Sequence, residues 1–233
     1  MEIDLIAGAR NRFASLGLVQ TAIPSDLKKI EVDGGKIALE VFSSQKVEKL
    51  IFSSIELFES GVVESTVMAW PADAYCFPVL WCNLTIVPTV MNVPICDFVP
   101  LMDTVVWPAY RDKYIMDLAE TRLAALEVLG DTVLDKAVEV PSAAVCAFSP
   151  YKLVVRLSDD GVERVPAIMD GYFDSYVNMV QGDKPVTDIA ERDFCLKKKR
   201  ATRELMKQND PGYPFMIDVF GEQITERVFD IIF

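Results

Sequence analysis

After a short amphipathic stretch over residues 3–15, which reads as a helix ending before the Pro24-Ser25 turn, the hydrophobic pattern changes period. Lys28–Val32 and Lys36–Phe42 flank Asp33-Gly34-Gly35, and Asp-Gly marks a hairpin because its residues tolerate positive φ. A second pair, Val47–Leu57 and Val62–Trp70, closes on Glu59-Ser60-Gly61, and Phe77–Val87 with Val93–Leu101 makes a third. Six strands in one unbroken hairpin series predict a meandering antiparallel sheet. Beyond Trp107-Pro108 the spacing turns helical. Ala109–Leu129 is predicted as one helix stopping at Gly130, and Tyr151–Leu157 as a further strand after Ser149-Pro150. Helices are expected at about 163–180, 186–207, 213–220 and 222–231. The strands are apolar on both faces, so both faces need cover. The expected fold class is α/β: a three-layer α/β/α sandwich, its central antiparallel sheet flanked by helices on both faces. No linker, repeat or low-complexity tract interrupts residues 1–233, which read as a single domain.

Composition narrows the chemistry. The chain has 233 residues, half of them hydrophobic and a quarter charged. No charge-free apolar run reaches the roughly 18 residues a membrane span needs. The densest stretch, Phe77–Leu101, is broken by Pro78, Pro88, Pro94 and Asp97. The opening MEIDLIAGARNRF is acidic and amphipathic rather than basic and then apolar, so it does not read as a signal peptide. The expectation is a soluble, monomeric protein of the cytoplasm, or of a plastid stroma in a eukaryote. The five cysteines, Cys76, Cys82, Cys96, Cys146 and Cys195, form no CxxC pair, which argues against disulfide, zinc and iron–sulfur frameworks. Histidine is absent altogether. That removes the usual general base, histidine-ligated metal and proximal-histidine haem together, leaving proton chemistry to carboxylates, tyrosines, cysteines and lysines. No glycine-rich phosphate loop is present.

A net charge of −12 disfavours nucleic acid and anionic membranes as partners. The local exception is Lys197, Lys198, Lys199, Arg200, Arg203 and Lys207, which is either a solvated helix face or a docking site for an acidic protein. Two other segments carry candidate chemistry. Asn83, the only amide in an otherwise apolar strand, either ties down backbone or faces a polar ligand. Asp210, before Pro211, is a natural N-cap for the helix that follows. Glu56 and Glu64 flank the Gly61 turn and read equally as pocket or edge residues; neither is singled out.

Phe77-Pro78-Val79-Leu80-Trp81-Cys82-Asn83 resembles the substrate-pocket strand of the ferredoxin-dependent bilin reductases. Ala147-Phe148-Ser149-Pro150-Tyr151-Lys152-Leu153-Val154-Val155-Arg156 resembles their strand ending in arginine. Asn209-Asp210-Pro211, Phe220-Gly221-Glu222, Thr225-Glu226-Arg227 and Ile232-Phe233 are similar to the family's closing helices. The blocks keep the family's order across roughly residues 30–233. The resemblance implies reduction of a linear tetrapyrrole, biliverdin or a dihydrobiliverdin, with electrons from external ferredoxin and no tightly bound cofactor or metal. It places Asp210 as proton donor and puts Asn83 where many members carry a catalytic aspartate; the phycoerythrobilin-forming and phytochromobilin-synthase branches resemble this chain in having asparagine there. Thr66 stands where the phycocyanobilin-forming branch has histidine, and Ser53 or Ser54 near its glutamate, so that branch's acid set is missing. Arg156 is the implied partner of a substrate propionate, or else a strand-end surface charge; Thr66, Ser149, Arg200 and Arg203 are further candidates for substrate contact. Lys197, Lys198 and Lys199 are candidates for docking ferredoxin. A tetrapyrrole carrier without reductase activity and a reductase of another linear tetrapyrrole, such as a chlorophyll catabolite, remain the alternatives.

Overall fold

A computed structural model describes residues 5–136 and 142–233. The N-terminal helix, α1 (Leu5–Phe13), lies within the expected 3–15, whose first two residues fall outside the described ones. A two-residue strand β1 (Val19–Gln20) and a single helical turn α2 (Ser25–Lys28) lead into the meander. Its strands are β2 (Lys29–Val32), β3 (Gly35–Ser43), β4 (Val47–Leu57), β5 (Val62–Pro71), β6 (Val79–Val87) and β7 (Met91–Val99), each antiparallel to the next. Gly61 takes φ +67° at the β4–β5 turn, the left-handed conformation that glycine supplies without strain.

The helix expected over Ala109–Leu129 is two helices, α3 (Pro108–Tyr114) and α4 (Asp117–Leu129). Between them the carbonyl of Arg111 accepts from both Ile115 and Met116, at 2.8 and 3.1 Å, widening the turn while Ile115 is fully buried. Then come β8 (Val133–Asp135), β9 (Leu153–Val154), β10 (Arg156–Leu157) and the short helix α5 (Asp159–Val162). Thus the strand expected over Tyr151–Leu157 is two brief pairings, both against β7, with β8 added outside β10. The chain ends in α6 (Val165–Gly182), α7 (Ile189–Gln208), α8 (Tyr213–Phe220) and α9 (Glu222–Ile232). The sheet order is β1-β3-β4-β5-β6-β7-β10-β8, with β2 also on β3 and β9 also on β7.

Side chains alternate across the sheet, so the strand registers define two faces. One is closed by α1 and α6. There Tyr176 donates to the carbonyls of Ala69 and Pro78, at 3.2 and 3.1 Å, and Phe98 meets Tyr172 and Tyr176 edge-on. The other face is covered by the C-terminal helices. Arg203 of α7 lies 4.6 Å over the Trp70 ring, Lys49 donates to the carbonyl of Ile231 in α9 at 2.9 Å, and α8 packs on the first hairpin. At Gly35 a Cβ would stand 2.6 Å from the Glu56 carbonyl and 2.9 Å from the Phe220 ring, so this contact needs glycine. The three-layer arrangement is the expected one, and its buried side chains form one cluster running from Leu5 to Phe233. Among the described residues no helix is long and apolar enough to cross a membrane.

Candidate functional site

The α7 face carries a row of polar groups through its middle. Ser53, Thr66, Asn83 and Ile95 are successive register partners on β4, β5, β6 and β7 and therefore point the same way. One step along lies the row Ile55, Glu64, Thr85 and Val93; in the other direction lie Ile51, Met68, Trp81 and Asp97. Asn83 and Thr66, both about 4% exposed, are joined by the Asn83 amide donating to Thr66 Oγ1 at 2.8 Å. Thr85 Oγ1 donates to Asn83 Oδ1 at 2.9 Å, and Thr66 Oγ1 donates to Glu64 Oε1 at 3.2 Å. The donors thus run in one direction, from Thr85 through Asn83 and Thr66, and end on the carboxylate of Glu64.

Asp210 comes to this row from the loop between α7 and α8. Its Oδ1 accepts from the backbone N–H of Gly212 at 2.8 Å, and its carbonyl from that of Tyr213 at 3.2 Å. The expected helix cap is therefore a turn just ahead of α8, whose first residue is Tyr213. Both acids keep an edge open to solvent while protein surrounds them elsewhere. Burial, and then the negative charge of Asp210, push the Glu64 carboxyl up to about 7, against hydrogen bonds from Thr66 and Asn83 that pull it down. Burial likewise raises Asp210 above the usual aspartate range, opposed by the Gly212 N–H. Of the two apolar residues Phe215 and Met216 that follow on α8, Met216 is buried, whereas Phe215 is 62% exposed and gives Asp210 no cover. Glu64, which holds its proton near neutral pH, and Asp210, raised in the same direction, share this row with an amide that can only hydrogen-bond, an arrangement chemically able to orient a ligand and protonate it.

Glu64 is the residue that sequence reasoning left unassigned. Period two puts it on the same face as Thr66, which was already a candidate, and that was the available signal. Glu56, treated alike in the sequence, points to the opposite face and pairs with Lys36 at 2.7 Å.

The remaining candidates divide. Arg156 is exposed, and the pairings Val154–Ile95 and Leu157–Asn92 put it level with Val93, in the row of Glu64 and Thr85 on the site face. Ser149 is 1% exposed, and both its N–H and its hydroxyl are given to Asp97, so it presents nothing to a ligand. Arg203 is engaged by Glu48 at 2.8 Å and by Trp70, and serves packing rather than substrate contact. Lys199 is 3% exposed and pairs with Glu48, Asp73 and the Pro71 carbonyl, because it lies on the inward side of α7. It cannot dock a partner. Lys197 and Arg200 are exposed on the same helix and Lys198 partly so. Clefts of about 400 Å³, beside Tyr114 and Asp183, and about 230 Å³, beside Lys46, open on the α6 side and touch none of the site residues. The α6-side clefts are therefore not where this chemistry sits.

Fold and site define an antiparallel sandwich with two carboxyl groups of raised proton affinity on one sheet face. A family model described as ferredoxin-dependent bilin reductase matches residues 7–233. The chain belongs to the ferredoxin-dependent bilin reductases, and is an oxidoreductase that uses ferredoxin. Comparison with curated proteins gives no match. Among solved structures, selenomethionine phytochromobilin synthase from tomato in complex with biliverdin superposes with a TM-score of 0.82 at 18% identity, over 97% of this chain and 80% of that one. At that identity the likeness speaks for the fold.

Proposed function

We propose that the chain reduces biliverdin, or a partly reduced bilin, to a phytobilin such as phycoerythrobilin. Ferredoxin supplies electrons one at a time, and each reduced double bond takes two electrons and two protons. The observation that carries this reading is the pair Glu64 and Asp210, mutually close and both shifted toward the protonated form, with Asn83 hydrogen-bonded into the same row. The conjugated tetrapyrrole holds the unpaired electron between transfers, and the protein contributes orientation, exclusion of water and protons. Asp210 is the principal donor. Glu64 is the second, oriented by the hydrogen bond from Thr66, which in turn accepts from Asn83. Asn83 has no proton to give and serves as an anchor for a pyrrole or lactam. Arg156, on the same face and open to solvent, is the partner for a propionate. The exposed cations Lys197, Lys198 and Arg200 of α7 are offered as the ferredoxin-facing surface; Lys199 and Arg203 are not part of it.

The deciding experiment is anaerobic turnover of biliverdin with a ferredoxin-reducing system, with products identified by chromatography. Reading requires a shifted biliverdin band on binding, followed by loss of that band when ferredoxin is reduced. A band that persists under reduced ferredoxin marks a carrier, and no shift on adding biliverdin removes the bilin reading.

A further inference from the structure

The segment 142–152 ties the two sides of the candidate site together. At its start the Ser142 hydroxyl donates to the carbonyl of Asn209, the residue before Asp210. Toward its end Ser149 gives Asp97 its N–H at 2.7 Å and its hydroxyl as well, while Ser149 Oγ accepts from the Tyr151 N–H at 3.2 Å and closes the turn. Asp97 is wholly buried on the site face and is the register partner of Trp81. The turn it holds brings Phe148 onto Trp81, with ring centroids 5.1 Å apart at 61°. Trp81 lies two residues before Asn83 on the same strand and face.

The state of this aromatic pair separates it from the core on the other side of the sheet. Phe98 and Tyr176 are sealed, whereas Trp81 and Phe148 both keep part of their surface open. An exposed edge-to-face pair beside a polar anchor offers a flat conjugated ligand an apolar wall and a hydrogen-bonding point within one strand step. The wall is assembled from two segments far apart in sequence, so its shape depends on whatever fixes the 148–150 turn over β7. A buried carboxylate accepting two donors from one residue is such a fastening, and it leaves neither donor orphaned.

We propose that Asp97 is a positioning residue: by clamping the Ser149 turn it seats Phe148 against Trp81, and so forms the wall on which a pyrrole ring of the substrate lies beside Asn83. The inference rests on the bilin reading above and adds to it residues that do not exchange protons with the substrate.

The test is biliverdin titration followed by visible absorption and circular dichroism, then ferredoxin-driven turnover, on the full chain. Phe148→Leu is expected to raise the Kd and KM for biliverdin by about tenfold, to change the induced dichroism of the bound pigment, and to move kcat less. Asp97→Ala is expected to reproduce those changes with Phe148 in place, and Asp97→Asn, which keeps one acceptor for Ser149, to recover most of them. Folded Phe148→Leu and Asp97→Ala proteins with wild-type KM and dichroism overturn the proposal. If Asp97→Ala does not fold, Ser149→Ala decides: a smaller shift in the same direction supports the clamp, and wild-type values overturn it. A wild-type protein that binds no biliverdin brings down the bilin reading and this inference together, whereas wild-type binding with unaltered variants brings down only the inference.

Discussion

The two faces of the central sheet use the same strands for opposite ends. On the α6 face, Leu80, Cys82, Cys96 and Phe98 of β6 and β7 are at most 1% exposed, and Phe98 meets Tyr172 and Tyr176 edge-on. On the α7 face the intervening residues, Trp81, Asn83, Thr85 and Ile95, hold polar groups or keep an open edge. Strand alternation alone separates them by one residue. The closed face fixes where each Cα sits, so the open face can carry a buried amide and two acids of raised proton affinity without having to hold the fold together. Such division of labour predicts that changes to one face act on stability and changes to the other on turnover.

The largest expected effect is on the closed face. Phe98→Ala removes a ring packed between two tyrosines and should cost about 3–5 kcal/mol, measured by denaturant unfolding, whereas Thr85→Ala, which deletes a half-open hydroxyl, should cost far less. Equal losses would abolish the distinction between the faces. Next comes Asp210→Asn, which should lower turnover by about 10²–10³-fold while the biliverdin band on binding stays as in the wild type. Glu64→Gln should lower it by a smaller factor, since Asp210 remains. Normal turnover by the Asp210 variant would show that the proton comes from elsewhere.

The acids also give the site face a pH signature. Glu64 titrates near 7 in the folded chain against an ordinary value of 4.5, and Asp97 near 6 against 3.8. Folded-state values above the unfolded ones mean that the folded chain holds more protons between them, so stability falls as pH rises through that interval. Between pH 6 and 7 the decline belongs to Glu64. Glu64→Gln should flatten the stability profile there and lessen its slope between pH 4.5 and 6, where Asp97's share of the decline remains. Turnover should decline above pH 7 as the protonated fraction of Glu64 is lost. A stability profile unchanged in the glutamine variant would mean that the carboxylate is solvated like a surface acid.

Much of the closed face was legible because its signals are local. Gly61 marks its hairpin through positive φ, Asp33-Gly34 marks the first through turn composition with positive φ at neither residue, and the apolar runs between them have no alternative to burial. The break at Ile115 was not legible, because it depends on where one side chain meets the core rather than on a helix-breaking residue. Nor were β1 and β8, whose two or three residues are strands only by virtue of a neighbour. The site was harder. Asn83 and Asp210 stood out through the family resemblance, but Glu64 and Asp97 looked like ordinary acids in strands. Only the registers show that Glu64 points with Thr66, and that Asp97 meets a turn more than fifty residues away in the chain. Lys199 errs in the opposite sense: a run of four basic residues reads as one surface, yet helical rotation turns the third inward to Glu48 and Asp73.

The smallest effect is the sharpest control on the comparison. Thr89, in the turn joining β6 to β7, is the only residue other than glycine with positive φ among the described residues, at 62°. A β-branched side chain is disfavoured there, in a turn whose Val90 N–H donates to the Val87 carbonyl at 3.0 Å. Thr89→Gly relieves that conformation but gives the unfolded chain more freedom, so the net gain should be about 0.5 kcal/mol, or roughly 1–2 °C in Tm. The turn sets the register of both Asn83 with Ile95 and Cys82 with Cys96, one pair on each face. If the strands are already fixed by the closed face, the variant should melt slightly later with kcat, KM and pH profile untouched. A change in turnover without a change in Tm would mean that this turn tunes the open face directly, and that the two faces are less separable than their packing indicates.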